Sequence, residues 1–293
     1  LPAQSAASDT DSQQSPEEQA AQEALRSHLE RKGGFYTILL SGLDDDNGGS
    51  DTNILMAVDT VNGYVYGASI PRDSKAIIGG KAHKINYAYN KGGTELLAST
   101  VSEQLGIPVD YTVCVNLQGF TALVDAIGGV EVEVTKAEAK EVTGHPKRYG
   151  NVKLKAGKHN LTGKQALAYC RIRKIDTDFV RTKRQRTVMN AIIKKMKSSN
   201  PFTLYKMASN AAPYIETDMT KSELCSFVAK AGSCATSTHQ ARVPFPDTWW
   251  YDTINGNSII AINKEENKKQ LIDFIYNKTS EQLDKEEAAA AKN

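Results

Sequence analysis

The residues best suited to chemistry in this chain are arginines and aspartates gathered in three short segments. The densest runs from Arg171 to Arg186 as RIRKIDTDFVRTKRQR. The stretch ALAYCRIR, which carries its first two arginines, reads as a strand. Residues two apart on a strand share a face, so Arg171 and Arg173 should point the same way. FVRTKRQRTVMNAIIKKMK reads as a long helix with Asp178 as its expected N-cap. Arg181 and Gln185, four apart, are then neighbours on one face near the helix start. Guanidinium forks match phosphate oxygens, and a helix N-terminus offers free N–H groups, so the ensemble suits a phosphate or diphosphate. The helix taken alone would read as a solvated basic face. Two arginines inside an apolar strand, by contrast, call for an anion.

Carboxylates supply the complementary half. Asp44, Asp45, Asp46 and Asp51 lie in one loop after the apolar run YTILLSG. Carboxylate oxygens without His or Cys suit Mg2+, which keeps several waters and is shared with substrate phosphates. The competing reading is a polar turn in which Asp, Asn and Gly serve backbone geometry. The third segment, Ile70-Pro71-Arg72-Asp73-Ser74, ends a strand, and a hairpin brings Arg72 beside the acidic loop. Other motifs fall away. GKHNLTGKQ from Gly157 to Gln165 lacks the spacing of a phosphate-binding Walker loop, and neither GxSxG nor HExxH occurs. A Ser or Cys nucleophile has no support.

The elements that must position these groups read as an alternation of strands and helices. YTILLSG, NILMAVD and YVYGASI are strands, the last two joined at Asn62-Gly63, a strong hairpin signal. TELLASTVSEQLG is an amphipathic helix stopped by Gly106. A strand from Tyr111 to Asn116, a helix from Phe120 to Ala126 and a strand from Val130 to Val134 follow. Residues 136–158 read as a polar surface loop and Trp249-Trp250-Tyr251 as another, ahead of a short strand and a closing helix from Lys264 to Asn277. The expected architecture is α/β, a three-layer α/β/α sandwich with a mixed central sheet. Residues 1–34 read as a linker and N-terminal helix (Pro16 to Arg31), 35–278 as the folded domain, and 279–293 as a disordered tail.

Composition narrows the classes of function. The formal net charge of +2 argues against nucleic-acid binding, which needs a broad basic surface. No apolar run reaches the ~18–20 residues that cross a bilayer. The chain opens Leu1-Pro2-Ala3, consistent with a removed signal peptide or with a membrane anchor upstream. Cys225 and Cys234 could pair if the domain is exported, whereas Cys114 and Cys170 read as small buried hydrophobes in apolar strands.

In this order and spacing the segments resemble the LytR–CpsA–Psr family. The landmarks are Gly42-Leu43-Asp44, Ser50-Asp51-Thr52, SIPRD ending at Asp73, Lys84-Ile85-Asn86, Gly128-Gly129-Val130, LTGKQALAY ending at Tyr169, Arg171-Ile172-Arg173, and Asp178 to Arg181 with Arg184-Gln185. The resemblance covers roughly Phe35 to Tyr276. It implies a phosphotransferase that moves a teichoic-acid- or capsule-like glycopolymer from a polyprenyl-pyrophosphate carrier to peptidoglycan. Arg72, Arg171, Arg173, Arg181 and Gln185 would contact the pyrophosphate, Asp44 and Asp51 would hold Mg2+, and Asp178 would orient the arginines. The catalytic set would be Asp44, Arg72, Arg171 and Arg173, with Asp44 or Asp46 as the base. An apolar tunnel for the prenyl tail, an N-terminal membrane anchor and a location on the outer face of the cell membrane are also implied. One departure stands out: Asp46 and Gly49 occupy loop positions where family members usually carry arginine. A pyrophosphate hydrolase and a non-catalytic binder of anionic glycopolymer are therefore the alternatives.

Overall fold

The computed structural model describes residues 35–43, 49–200, 202–204, 212–220, 222–224, 227–228, 237–277 and 282–286. Asp44 to Asp46, the helix expected from Pro16 to Arg31 and the Cys225–Cys234 pair lie outside these residues.

The fold grows from three strands whose apolar residues alternate: β1 (Phe35–Leu43), β2 (Ser50–Asp59) and β3 (Tyr64–Ile70). Successive side chains of a strand point to opposite faces, so each strand feeds two cores at once. Leu39, Leu55, Ala57 and Ala68 enter one, while Ile38, Ile54, Met56 and Val58 enter the other side. The β2–β3 turn forms as the Asn-Gly signal requires. Asp59 Oδ1 accepts the N–H groups of Val61 and Asn62, and Gly63 supplies a φ of 76°.

Short strands β4 (Lys75–Ile78) and β5 (Lys81–Lys84) precede α1 (Tyr87–Leu105), which Gly106 ends in the left-handed conformation. Next come β6 (Tyr111–Val115), α2 (Leu117–Ala126), β7 (Val130–Val134), α3 (Lys136–Gly144), the single turn α4 (Pro146–Tyr149), β8 (Gly157–Leu161), α5 (Gly163–Cys170) and α6 (Asp178–Lys197). The chain continues through β9 (Ile215–Thr217), β10 (Ser237–Arg242), β11 (Trp249–Ile254), β12 (Asn257–Ile262) and α7 (Lys264–Ile272).

The central sheet has the order β10-β3-β2-β1-β6-β9 and is mixed: β1–β6 and β3–β10 are parallel and the other pairs antiparallel. Leu97, Val101 and Leu105 of α1, with Leu271 of α7, cover one face. Met189 and Ile193 of α6 pack on the other. Beyond α6 lies a separate core in which Val124, Val132, Val142, Ala166, Val188 and Ile192 join α2, α3, α5, α6 and the β7–β8 pair. The mixed sheet with helices on both faces is the expected architecture.

Five local expectations are corrected. ALAYCRIR is not a strand: Gly163 to Cys170 is helical, and Arg171 and Arg173 sit in the connection after it. The reason is a capping box, in which Thr162 accepts from the Gln165 N–H and Gln165 returns an acceptor to the Thr162 N–H. Residues 136–158 are not a surface loop. Thr135 and Glu138 form a second capping box that starts α3, and Ala139, Val142, Tyr149 and Leu154 are buried. The N-cap of α6 is Thr177, leaving Asp178 as the first helical residue. Trp249-Trp250-Tyr251 opens strand β11, paired with β12. Within the expected tail, residues 282–286 are helical and Leu283 is buried in the α1–α7 core. Among the described residues, no helix is long and apolar enough to cross a membrane.

Candidate functional site

Three segments distant in sequence meet at the end of the β1–β2 pair. Asp51, the second residue of β2, is gripped from both sides. Arg72, two residues past β3, donates to its Oδ1 at 2.5 Å, and Arg173 donates to its Oδ2 at 2.8 Å. Arg72 also lies 3.8 Å from Asp73, which pairs with Lys84 at 2.8 Å. The Arg173 side chain is 42% exposed and that of Asp51 26%, so this is a partly solvated cluster that a stronger anion could enter.

The cluster opens into a cavity of about 530 Å3 between the sheet and α6. Its polar lining includes Asp51, Arg171, Arg173, Lys174, Arg181 and Gln185. Reading along α6, Arg181 and Gln185 are followed on the same lining by Val188, Met189, Ile192 and Met196. One helical stripe therefore changes from polar to apolar over roughly 22 Å of helix axis, at about 1.5 Å per residue. Opposite it, Leu40, Ile54, Met56 and Val65 of the sheet keep the deeper part apolar. Such a space fits an anionic head with a long hydrocarbon tail.

The connection that carries Arg171 and Arg173 is pinned by a residue the sequence alone left as solvated. Arg184 is only 3% exposed. Its guanidinium donates to Glu138 Oε1 at 2.7 Å, to both oxygens of Asp176, and to the Ile172 carbonyl at 3.3 Å. Burial pushes the Arg184 pKa down, but the two carboxylates outweigh it and the net shift is upward. Burial likewise raises Glu138, and its bonds to Arg184 and Thr135 reverse that to a net lowering. Asp176 and the Ile172 carbonyl flank Arg173, so the clamp sets the path of the segment between α5 and α6. Gly163 fixes the start of α5, because a Cβ there would stand 2.2 Å from the Thr121 carbonyl oxygen in α2. The Thr-x-x-Glu pattern from Thr135 to Glu138 was the available signal for this helix; nothing local tied Glu138 to Arg184, 46 residues on.

Of the expected site residues, Asp51, Arg171, Arg173, Arg181 and Gln185 line one cavity, and Arg72 joins them through Asp51. Arg181 is 2% exposed. The side chain of Asp178, and Asp44, lie outside the described residues. Lys174, Arg148 and Tyr149 also line the cavity, and no motif in the sequence marks them. At Gly49 the side-chain atoms nearest to an added Cβ are the amide nitrogens of Asn86 and Asn90, at 3.4 and 3.8 Å. Cys170 lies on the cavity wall, and burial pushes its thiol up to about 12. For a divalent ion, Asp51 offers one hard carboxylate at the polar end of the cavity, a donor type that suits Mg2+. Among the described residues, no group of three or more His, Cys, Asp or Glu could hold a metal by itself.

The family model described as LytR_cpsA_psr matches residues 2–273. The chain belongs to this family. A polyisoprenyl-teichoic acid–peptidoglycan teichoic acid transferase, TagU of Bacillus anthracis, is 35% identical over 216 residues, covering 71% of this chain and 68% of its own. The structure of TagT bound to LIIa-WTA superposes with a TM-score of 0.71 at 29% identity, covering 83% of this chain and 91% of that one. A LytR-CPS2A-psr family protein, YwtF (TagT), with bound octaprenyl pyrophosphate lipid superposes at 0.67 with 28% identity, again covering 83% and 91%. Relatives in the LytR–CpsA–Psr family are thus named as teichoic acid transferases, and solved members hold a prenyl pyrophosphate or a teichoic acid ligand.

Proposed function

We propose that this chain transfers a phosphate-linked glycopolymer of the teichoic acid type from a polyprenyl-pyrophosphate carrier to peptidoglycan, on the outer face of the cell membrane. The observation that carries this reading is the stripe along α6: arginine and glutamine at one end of a cavity, hydrocarbon at the other, with Arg171 and Arg173 at the polar end.

The chemistry follows from that polarity. Diphosphate oxygens would take the guanidiniums of Arg171, Arg173 and Arg181, and the prenyl chain would lie against Met189, Ile192 and Met196. A hydroxyl of the acceptor sugar attacks the sugar-proximal phosphorus. The bond from that phosphorus to the bridging oxygen breaks, and prenyl phosphate leaves with the charge. Arginines fixed in place before the reaction stabilise that charge without reorganising, which is the main source of rate in phosphoryl transfer. Asp51 would hold Mg2+, with Asp44 as the second carboxylate, and the ion would neutralise phosphate oxygens. The hydroxyl proton would pass to a carboxylate of the 44–46 loop.

The test is incubation with Mg2+ and a polyprenyl-pyrophosphoryl saccharide, with and without a peptidoglycan acceptor. Wild type should form acceptor-linked product, and Arg171→Ala should lose at least about 100-fold, the usual scale for removing a preorganised charge-stabilising group. Equal turnover by both proteins would remove the assigned site. Product ending in free phosphate regardless of acceptor would mark a hydrolase, and binding without turnover a non-catalytic glycopolymer binder.

A further inference from the structure

The hairpin β11–β12 carries an aromatic run that the transfer chemistry leaves unused. Trp250 is 54% and Tyr251 61% exposed. Exposed rings clustered in this way mark binding surfaces more often than chance placement. On the strand, Trp249 and Tyr251 share a face and Trp250 points the other way. The Trp249 ring lies 5.1 Å from Tyr251 on one side and 4.6 Å from Phe179 on the other. The Arg242 guanidinium lies 4.5 Å from the Phe179 ring centre. Cation and three rings form one contiguous ledge of angled faces, with Trp249 tilted 56° to Phe179 and 87° to Tyr251.

Two connections tie the ledge to the polar end of the cavity. Phe179 belongs to the first turn of α6, two residues before Arg181. Ile260, paired across the hairpin with Tyr251, donates its N–H to the Asp73 carbonyl at 2.9 Å, one residue from Arg72. Both attachments are to the segments that supply the site's arginines.

We propose that the Phe179–Trp249–Tyr251 ledge is the acceptor subsite and takes a glycan strand of carboxylate-bearing amino sugars. A sugar ring presents a flat C–H face that stacks on an aromatic face, while its hydroxyls stay free for water and for reaction. Arg242 complements a carboxylate carried on such a ring. A strand lying on the ledge would hold a hydroxyl beside the diphosphate, where the transfer reading needs it. That reading supplies the identity of the acceptor; the binding surface itself stands on the ring geometry.

The chain has two tryptophans, so Trp250→Phe leaves Trp249 as the single indole reporter. This variant is titrated with a soluble tetrasaccharide of alternating N-acetylglucosamine and N-acetylmuramic acid. A saturable change in Trp249 emission is expected. Adding Tyr251→Ala should weaken it roughly three- to tenfold, and Tyr251→Trp in a Trp249-retaining background should preserve binding by calorimetry. Octaprenyl pyrophosphate binding, measured on the same proteins, should be unaffected. Its absence from all of them would count against the transferase reading, while the glycan titration decides the ledge separately. No Trp249 response, or equal affinity in Tyr251→Ala, overturns the proposal. So does a response to phosphatidylglycerol vesicles alone, which would make the ledge a membrane contact.

Discussion

Two arginine–carboxylate clusters within the same region make opposite use of the same chemistry. At Arg184 the central ion pair is nearly dry: the side chains of Arg184 and of Glu138 from α3 are 4% and 9% exposed, and Asp176 of the α5–α6 connection closes the outer side. At Asp51 the partners are Arg72 and Arg173, with side chains 24% and 42% exposed, at the polar end of an open cavity. A buried pair that loses one member strands the other without water, whereas a half-exposed pair can exchange partners at little cost. The first cluster is therefore architecture and the second is a place where a ligand can substitute for a carboxylate.

The comparison is broken most severely by Arg184→Ala. Glu138 would be left in a low-polarity space without its cation, while Asp176 keeps some contact with water, and unfolding by denaturant should show a loss of about 3 kcal/mol. A near-neutral result would mean the clamp is not structural. Glu138→Gln sharpens the same point through pH. The folded-state pKa of Glu138 is lowered, so its stabilisation is present above the unfolded value of about 4.3 and is lost as pH falls through the folded value. The stability gap between wild type and Glu138→Gln should be open at pH 7 and narrow as pH falls below about 4. A gap that does not change with pH would contradict the assignment. Smallest of all, Arg173→Ala should cost less than about 1 kcal/mol of stability, since its pair with Asp51 is partly solvated.

Legibility in the sequence followed the range of the interactions. The β2–β3 hairpin was readable because Asn62-Gly63 and the alternating strands act within a few residues. That Arg171, Arg173, Arg181 and Gln185 share one cavity was readable from residue type and spacing, although the strand assigned to the first two was wrong. ALAYCRIR is a short apolar run of the kind that periodicity cannot divide between strand and helix. The Thr162–Gln165 capping box decides it. The 136–158 segment failed for a related reason: its buried residues Ala139, Val142, Tyr149 and Leu154 are spread among lysines and glutamates, so no dense apolar stripe announces a helix. Glu138 and Asp176 remained invisible as partners of Arg184 because their meeting is made by the tertiary fold, across 46 residues in the first case.

The most direct test of the central claim is a titration of octaprenyl pyrophosphate into wild type and Arg173→Ala by calorimetry, with folding checked in parallel. The account requires saturable binding to wild type and at least about tenfold weaker binding to the variant, the scale of one charge-assisted contact. Equal affinity in two folded proteins would show that the arginine end of the cavity does not hold the diphosphate.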